Sequence, residues 1–241
     1  MKIVIITAMP EESRAIMRRA RLRETSLLSG RKRYRIQISG HEIVLVEAGM
    51  GMLNAGWAAS ALATESPDLM ISAGFGGAVL PGLVVGDVVM AERILHLSGA
   101  ELEEVAVGFY GRNAAADSLS FRRGVCISCD QILNKGDLAL RLPAGVVNPV
   151  VEMESAAVAR IAASHSIPFL ALRAISDPWD EELDFSIDEF CDEDMRIRPA
   201  KVLATILRRP AIIPQVIRLA RNSHVAASGL ARAMERLLGH I

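Results

Sequence analysis

The chain repeatedly sets a short, nearly unbroken apolar run beside a segment with helical spacing, and that alternation restricts the fold more than any other feature. KIVIITA, EIVLVEAG, DLMISAG, GDVVMAE, RGVCISC and PFLALRAIS read as strands, most of them apolar enough to be covered on both faces. Between them, the segment from Pro10, the Ala-rich stretch Leu53 to Thr64 and AAVARIAASHS read as helices. RYRIQIS and EIVLVEAG form a hairpin through Ser39-Gly40-His41. Helix is expected around Asp188 to Arg208 and again from Pro210 onward. No linker rich in Gly, Ser or Pro interrupts this order. The expectation is one domain over residues 1–241, an α/β fold whose mostly parallel or mixed sheet is covered by helices.

Charge narrows the partners. The formal net charge is -1, so the chain has no global attraction to nucleic acid or to an anionic membrane. Locally, however, 201–241 carries one Lys and six Arg against Glu235 alone, while 177–194 holds ten acids and no base. The basic segment also reads as an amphipathic helix. Of the three cysteines, Cys126 and Cys129 sit three apart in a strand and should point to opposite faces, so CISC reads as buried thiols, not a metal or redox site. With no signal-like leader and no long apolar span, the expectation is a cytoplasmic protein.

In folds of this class ligands collect beyond the carboxyl ends of strands. There lie Glu12, the glycines at 49–51 and 74–77, Glu152, Glu154, Ser176 and Asp177. Each alone has an ordinary reading. In MPEES, Pro10 suits a first helical position and Glu11 and Glu12 suit the positive end of a helix dipole; glycine runs and Ser-Asp-Pro are common turn formers. Together, four acids and two glycine turns converge on one rim. GxGxxG, a Walker lysine, GxSxG and HExxH are all absent, so neither a cofactor nor a metal is implied. What remains is acid and base chemistry on a small polar substrate.

AMPEE, GMGMLNAG, SAGFGGAVLPGLVVGDVV, VEMESAAVA and RAISD, in that order, resemble the purine-nucleoside phosphorylase and nucleosidase superfamily, and most closely the methylthioadenosine/S-adenosylhomocysteine nucleosidases. The resemblance implies a three-layer α/β/α sandwich around a mixed sheet, a nucleoside as the small-molecule partner and a homodimer. It also implies roles. Asp177 would protonate the departing purine at N7, Glu12 would orient and deprotonate the attacking water, and Glu154 would accept hydrogen bonds from the ribose hydroxyls with Met153 against the sugar. Arg173 and Ser176 would hold the end of the catalytic strand, and Met9, Met50, Gly74, Gly76 and Glu152 would complete the substrate site. Apolar surroundings were expected to keep Asp177 protonated. Where related phosphorylases carry an Arg and a Ser for phosphate, this chain has Ser72 and Phe75, which favours water; Arg14 keeps phosphorolysis open.

Two departures bear on the substrate. Ile132 stands where the nucleosidases stack adenine on Phe, and Ile187 replaces an aromatic residue of the 5′ pocket, so that pocket is expected to be aliphatic and open. The C-terminal segment resembles that of hopanoid-associated nucleosidases, which act on adenosylhopane, a lipid-linked nucleoside. A basic amphipathic segment over 208–238 could then meet the inner face of the membrane, or it could pack on the core.

Overall fold

The computed structural model describes residues 1–18, 20–110, 121–131, 133–181, 187–190, 192 and 198–241. Ten strands and six helices alternate along these residues. They run β1 (Lys2–Thr7), α1 (Pro10–Met17), β2 (Arg21–Leu28), β3 (Arg31–Ile38), β4 (His41–Glu47), α2 (Met52–Ala63), β5 (Leu69–Ala78), β6 (Val88–Ser98), β7 (Glu101–Glu104) and β8 (Arg122–Cys129). Then come α3 (Lys135–Arg141), β9 (Pro149–Glu152), α4 (Ser155–Ser164), β10 (Phe169–Asp177), α5 (Pro199–Arg208) and α6 (Ile213–His240), with 3-10 turns at Ile187–Phe190 and Pro210–Ile212.

The strands form one mixed sheet in the order β10-β6-β8-β9-β5-β1-β4-β3-β2. β1 lies parallel to both β4 and β5, whereas β3 pairs antiparallel with β2 and β4. Because β10 pairs with β5 as well as with β6, the strands β5, β10, β6, β8 and β9 close into a ring. Helices cover both faces, giving the α/β/α sandwich. On one face α1 and the second half of α6 pack over Ile3, Ile5, Ile36, Leu45 and Ile71. On the other, α2 and α4 pack over Val4, Ile6, Val46 and Met70, meeting through Ala55, Ala58, Ala59, Ala156 and Ala159. Those small side chains let the helices come close, and each fully buried Ile or Leu nearby contributes about 1.5–3 kcal/mol.

Several features depart from the expectation. β2 is an exposed edge strand whose RLRETSLL turns few apolar residues to the core, so it has no period to reveal it. Gly74 to Gly77 do not form a turn: they lie inside β5, where Gly74 pairs with Arg173 and Gly76 with Ile175. Finally, the expected helix over 188–208 exists, among described residues, only from Pro199.

α6 divides the basic segment in two. From Ala226 onward it buries Leu230, Met234, Leu237 and Leu238 in the core. Before that, Ile213, Ile217 and Val225 are exposed, and so are Leu203 and Leu207 of α5 and Trp179. Arg218 and Arg209 are already paired with Glu181 and Glu189. Among the described residues no helix is long and apolar enough to cross a membrane.

Candidate active site

MPEES splits its two carboxylates between different jobs. Glu11 is exposed and pairs with Arg14 on the same helix at 3.0 Å, as a solvated first turn should. Glu12 instead folds back under the start of α1. Its Oε2 accepts the backbone N–H of Ala8 and of Met9, each at 2.8 Å, and its Oε1 accepts that of Phe75 from β5, also at 2.8 Å. It is 2% exposed. Burial pushes the Glu12 carboxyl up from its ordinary value, although the N–H groups of Met9 and Phe75 and the charge of Arg173 pull the other way.

The glycines of β5 explain how these groups fit. A Cβ on Gly74 would lie 2.6 Å from Glu12 Oε1, and one on Gly76 would lie 2.5 Å from Val150 Cγ1. A Cβ on Gly77 would run into Asp177 Oδ2. The strand is bare so that carboxylates can rest against its backbone.

Beneath this surface sits a buried ion pair. Arg173 of β10 is 1% exposed and reaches Glu152 Oε2 with Nη2 at 2.5 Å and Nε at 3.1 Å, while Nη2 also donates to Ser72 and Ser155. Burial alone would raise Glu152, but Arg173 and hydrogen bonds from Ser128 and Ser155 hold it below the usual carboxylate range. Both side chains are thus buried and engaged chiefly with each other. Arg173→Met should lower unfolding stability by about 3–5 kcal/mol, since it strands a buried carboxylate. Urea titration measures this, and Glu152→Gln added to the same chain should recover most of the loss. A single-variant loss below about 1 kcal/mol, within the range of an exposed ion pair, would contradict the assignment.

Glu154 lies just above the pair. Its Oε1 accepts the N–H of Gly51 at 2.8 Å, tying the first glycine loop to the start of α4, and its Oε2 lies 3.8 Å from Arg173 Nη2. Burial first, then the charge of Glu152, push its carboxyl up to about 7, and the charge of Glu12 acts in the same sense. Met9, Met50 and Met153 are half-buried around these groups. The raised value has two consequences of opposite sign. A carboxylate that receives ribose hydroxyls should bind best when ionised, so KM should rise as pH falls below about 7. Folding runs the other way: unfolded Glu154 loses its proton near 4.5 and the folded one near 7, so its contribution to stability falls as pH rises across that window. A KM that stays flat from pH 8 to pH 5.5 would contradict the ribose role.

Asp177 closes β10. The pairing with β5 slips between Ile175 and Asp177, leaving Ser176 as a bulge, a device that re-aims the next side chain. Here the structure corrects the sequence expectation of apolar surroundings: Asp177 Oδ2 lies 2.6 Å from the ammonium of Lys135, which is 7% exposed, and Oδ1 accepts Ser176 Oγ at 2.7 Å. Lys135 is absent from the sequence expectation because its partner Asp177 lies far along the chain. The available signal was Asn134, which caps the first turn of α3, followed by a cation where the helix dipole disfavours one. Ile132 lies outside the described residues, as does the side chain of Ile187.

The phosphorylase superfamily model matches residues 2–208. Among solved structures, a methylthioadenosine/S-adenosylhomocysteine nucleosidase from S. pneumoniae, bound to a transition-state inhibitor, has 24% identity and TM-score 0.70, with 100% of this chain and 99% of that one covered. Futalosine hydrolase of Helicobacter pylori has 18% identity and TM-score 0.74, covering 100% and 98%. At these identities the structures share a fold, whereas the family match extends along most of the sequence. The chain belongs to the phosphorylase superfamily.

Proposed function

We propose that the protein hydrolyses the N-glycosidic bond of an adenine nucleoside carrying an apolar 5′ substituent, such as methylthioadenosine, S-adenosylhomocysteine or adenosylhopane. The observation that carries this reading is the gathering of Glu12, Glu154 and Asp177 around the glycine strand, each held by a different element.

Breaking the bond generates an oxocarbenium-like sugar, so one carboxyl must serve the leaving base and another the attacking water. Asp177 gives its proton to purine N7 as the electron pair of C1′–N9 passes into the base. Water attacks C1′ from the opposite face and passes a proton to Glu12, whose carboxyl burial pushes above its ordinary value. Glu154 holds the ribose hydroxyls. Water is favoured over phosphate because the cations of this region are committed elsewhere: Arg14 to Glu11, Arg173 to Glu152 and Lys135 to Asp177. A bulky apolar 5′ group is in keeping with the exposed Trp179, two residues beyond Asp177.

The test is adenine release from the three nucleosides, with and without phosphate. Free ribose derivatives in both conditions support hydrolysis. Ribose 1-phosphate products, formed only with phosphate, would make the protein a phosphorylase, and no release from any of the three would leave a binding protein without the chemistry.

A further inference from the structure

Among the described residues, Lys135 stands with its buried ammonium beside Asp177 and has no part in the proton transfers above. It occupies the first position of α3 and buries an ammonium there, against both desolvation and the helix dipole. What it gains is specific. Its Nζ lies 2.6 Å from Asp177 Oδ2 and donates to the carbonyl of Pro178, also at 2.6 Å, and its Cε would be 3.1 Å from a Cβ on Gly77. The lysine thus grips the catalytic strand on both sides of the Asp177–Pro178 peptide. Among the described residues, the Asp177 carboxyl meets this ammonium on Oδ2, the Ser176 hydroxyl on Oδ1 and the bare backbone of Gly77.

We propose that Lys135 is the positioning residue for proton transfer to the leaving base: by occupying Oδ2 it confines the transferable proton of Asp177 to Oδ1 and receives the carboxylate that the transfer creates. This inference rests on the nucleosidase reading. In the step, the Oδ1–H bond breaks and N7–H forms while the C1′–N9 pair enters the purine. Asp177 gains a negative charge, and Lys135 keeps its protons and meets that charge 2.6 Å away. Such a fixed cation stabilises charge that develops in the transition state more than it stabilises the ground state. Ser176 accommodates both states, because its hydroxyl can rotate to accept from a protonated Oδ1 or donate to an ionised one.

A leaving group that needs no proton separates this role from a purely structural one. Lys135→Met and Lys135→Arg are compared with wild type on an adenine nucleoside and on 4-nitrophenyl riboside, whose nitrophenolate departs as an anion, with thermal melting as the folding control. For Lys135→Met the expected result is a fall in kcat of about 10²-fold on the nucleoside, the lower end for general acid catalysis, with the nitrophenyl riboside changed less than about threefold. Lys135→Arg, which keeps a cation and its donors, should recover most of the turnover.

Equal losses on the two substrates, or no loss on either, would overturn the proposal. If Lys135→Met does not fold, a Lys135→Arg variant that folds but loses as much on the nitrophenyl riboside as on the nucleoside overturns it equally. If wild type releases no base from any nucleoside, the nucleosidase reading fails and this inference falls with it, an outcome distinct from an active wild type that is indifferent to Lys135.

Discussion

Glu12→Gln should lower turnover by about 10²–10⁴-fold, the range for loss of a general base, while Glu11→Gln should stay within about twofold of wild type. The two residues are adjacent and chemically identical, so the difference tests placement alone. Glu12 has its oxygens turned toward three backbone N–H groups, two on Oε2 and one on Oε1. An amide cannot accept at both ends, so Gln would also set a donor against a donor whichever way it turned, costing about 1–3 kcal/mol. A melting curve recorded with the kinetics separates that cost from the lost base. Glu11 contributes a solvated pair with Arg14 and little more. Equal losses in the two variants would sink the division of labour.

Asp177→Asn should reduce turnover of a purine nucleoside by at least about 10²-fold with a smaller change in binding. Asn keeps the shape that fits against Gly77 and can still accept from Lys135, so the bulged end of β10 has no steric reason to move. It has no proton of the right acidity to give. Turnover within about threefold of wild type, far inside the range for acid catalysis, would show that the base leaves without help from this residue.

Much of this arrangement could be read from the sequence, and the omissions have physical causes. Apolar runs such as KIVIITA and PFLALRAIS announced β1 and β10 because strands covered on both faces need no alternation. The hairpin at Ser39-Gly40 and the opposite-facing thiols of CISC followed from local chemistry; Cys126 and Cys129 are buried in separate clusters, with burial pushing each thiol up to about 12. β2 and the short β7 escaped because edge strands bury little, and α3 because seven residues give a helical period too few repeats. GFGG misled for another reason. Glycine usually marks a turn, and only the carboxylates lying above it disclose that here it is an empty stretch of strand. Lys135 escaped since its partner is 42 positions away in the chain, as the two numbers 135 and 177 state.

The bare stretch of β5 also sets how such a protein can change over generations. Every substitution at Gly74 or Gly77 adds at least a methyl group, and that methyl meets the carboxyl of Glu12 or of Asp177 before it meets anything else. Small heritable steps are therefore closed on the side of the site where these carboxyls rest. The methionines at 9, 50 and 153, half-buried and unbranched, can be exchanged for neighbours of other shapes at modest cost. If those carboxyls carry the proposed hydrolysis, a lineage built this way keeps its reaction fixed while its taste for the rest of the nucleoside drifts.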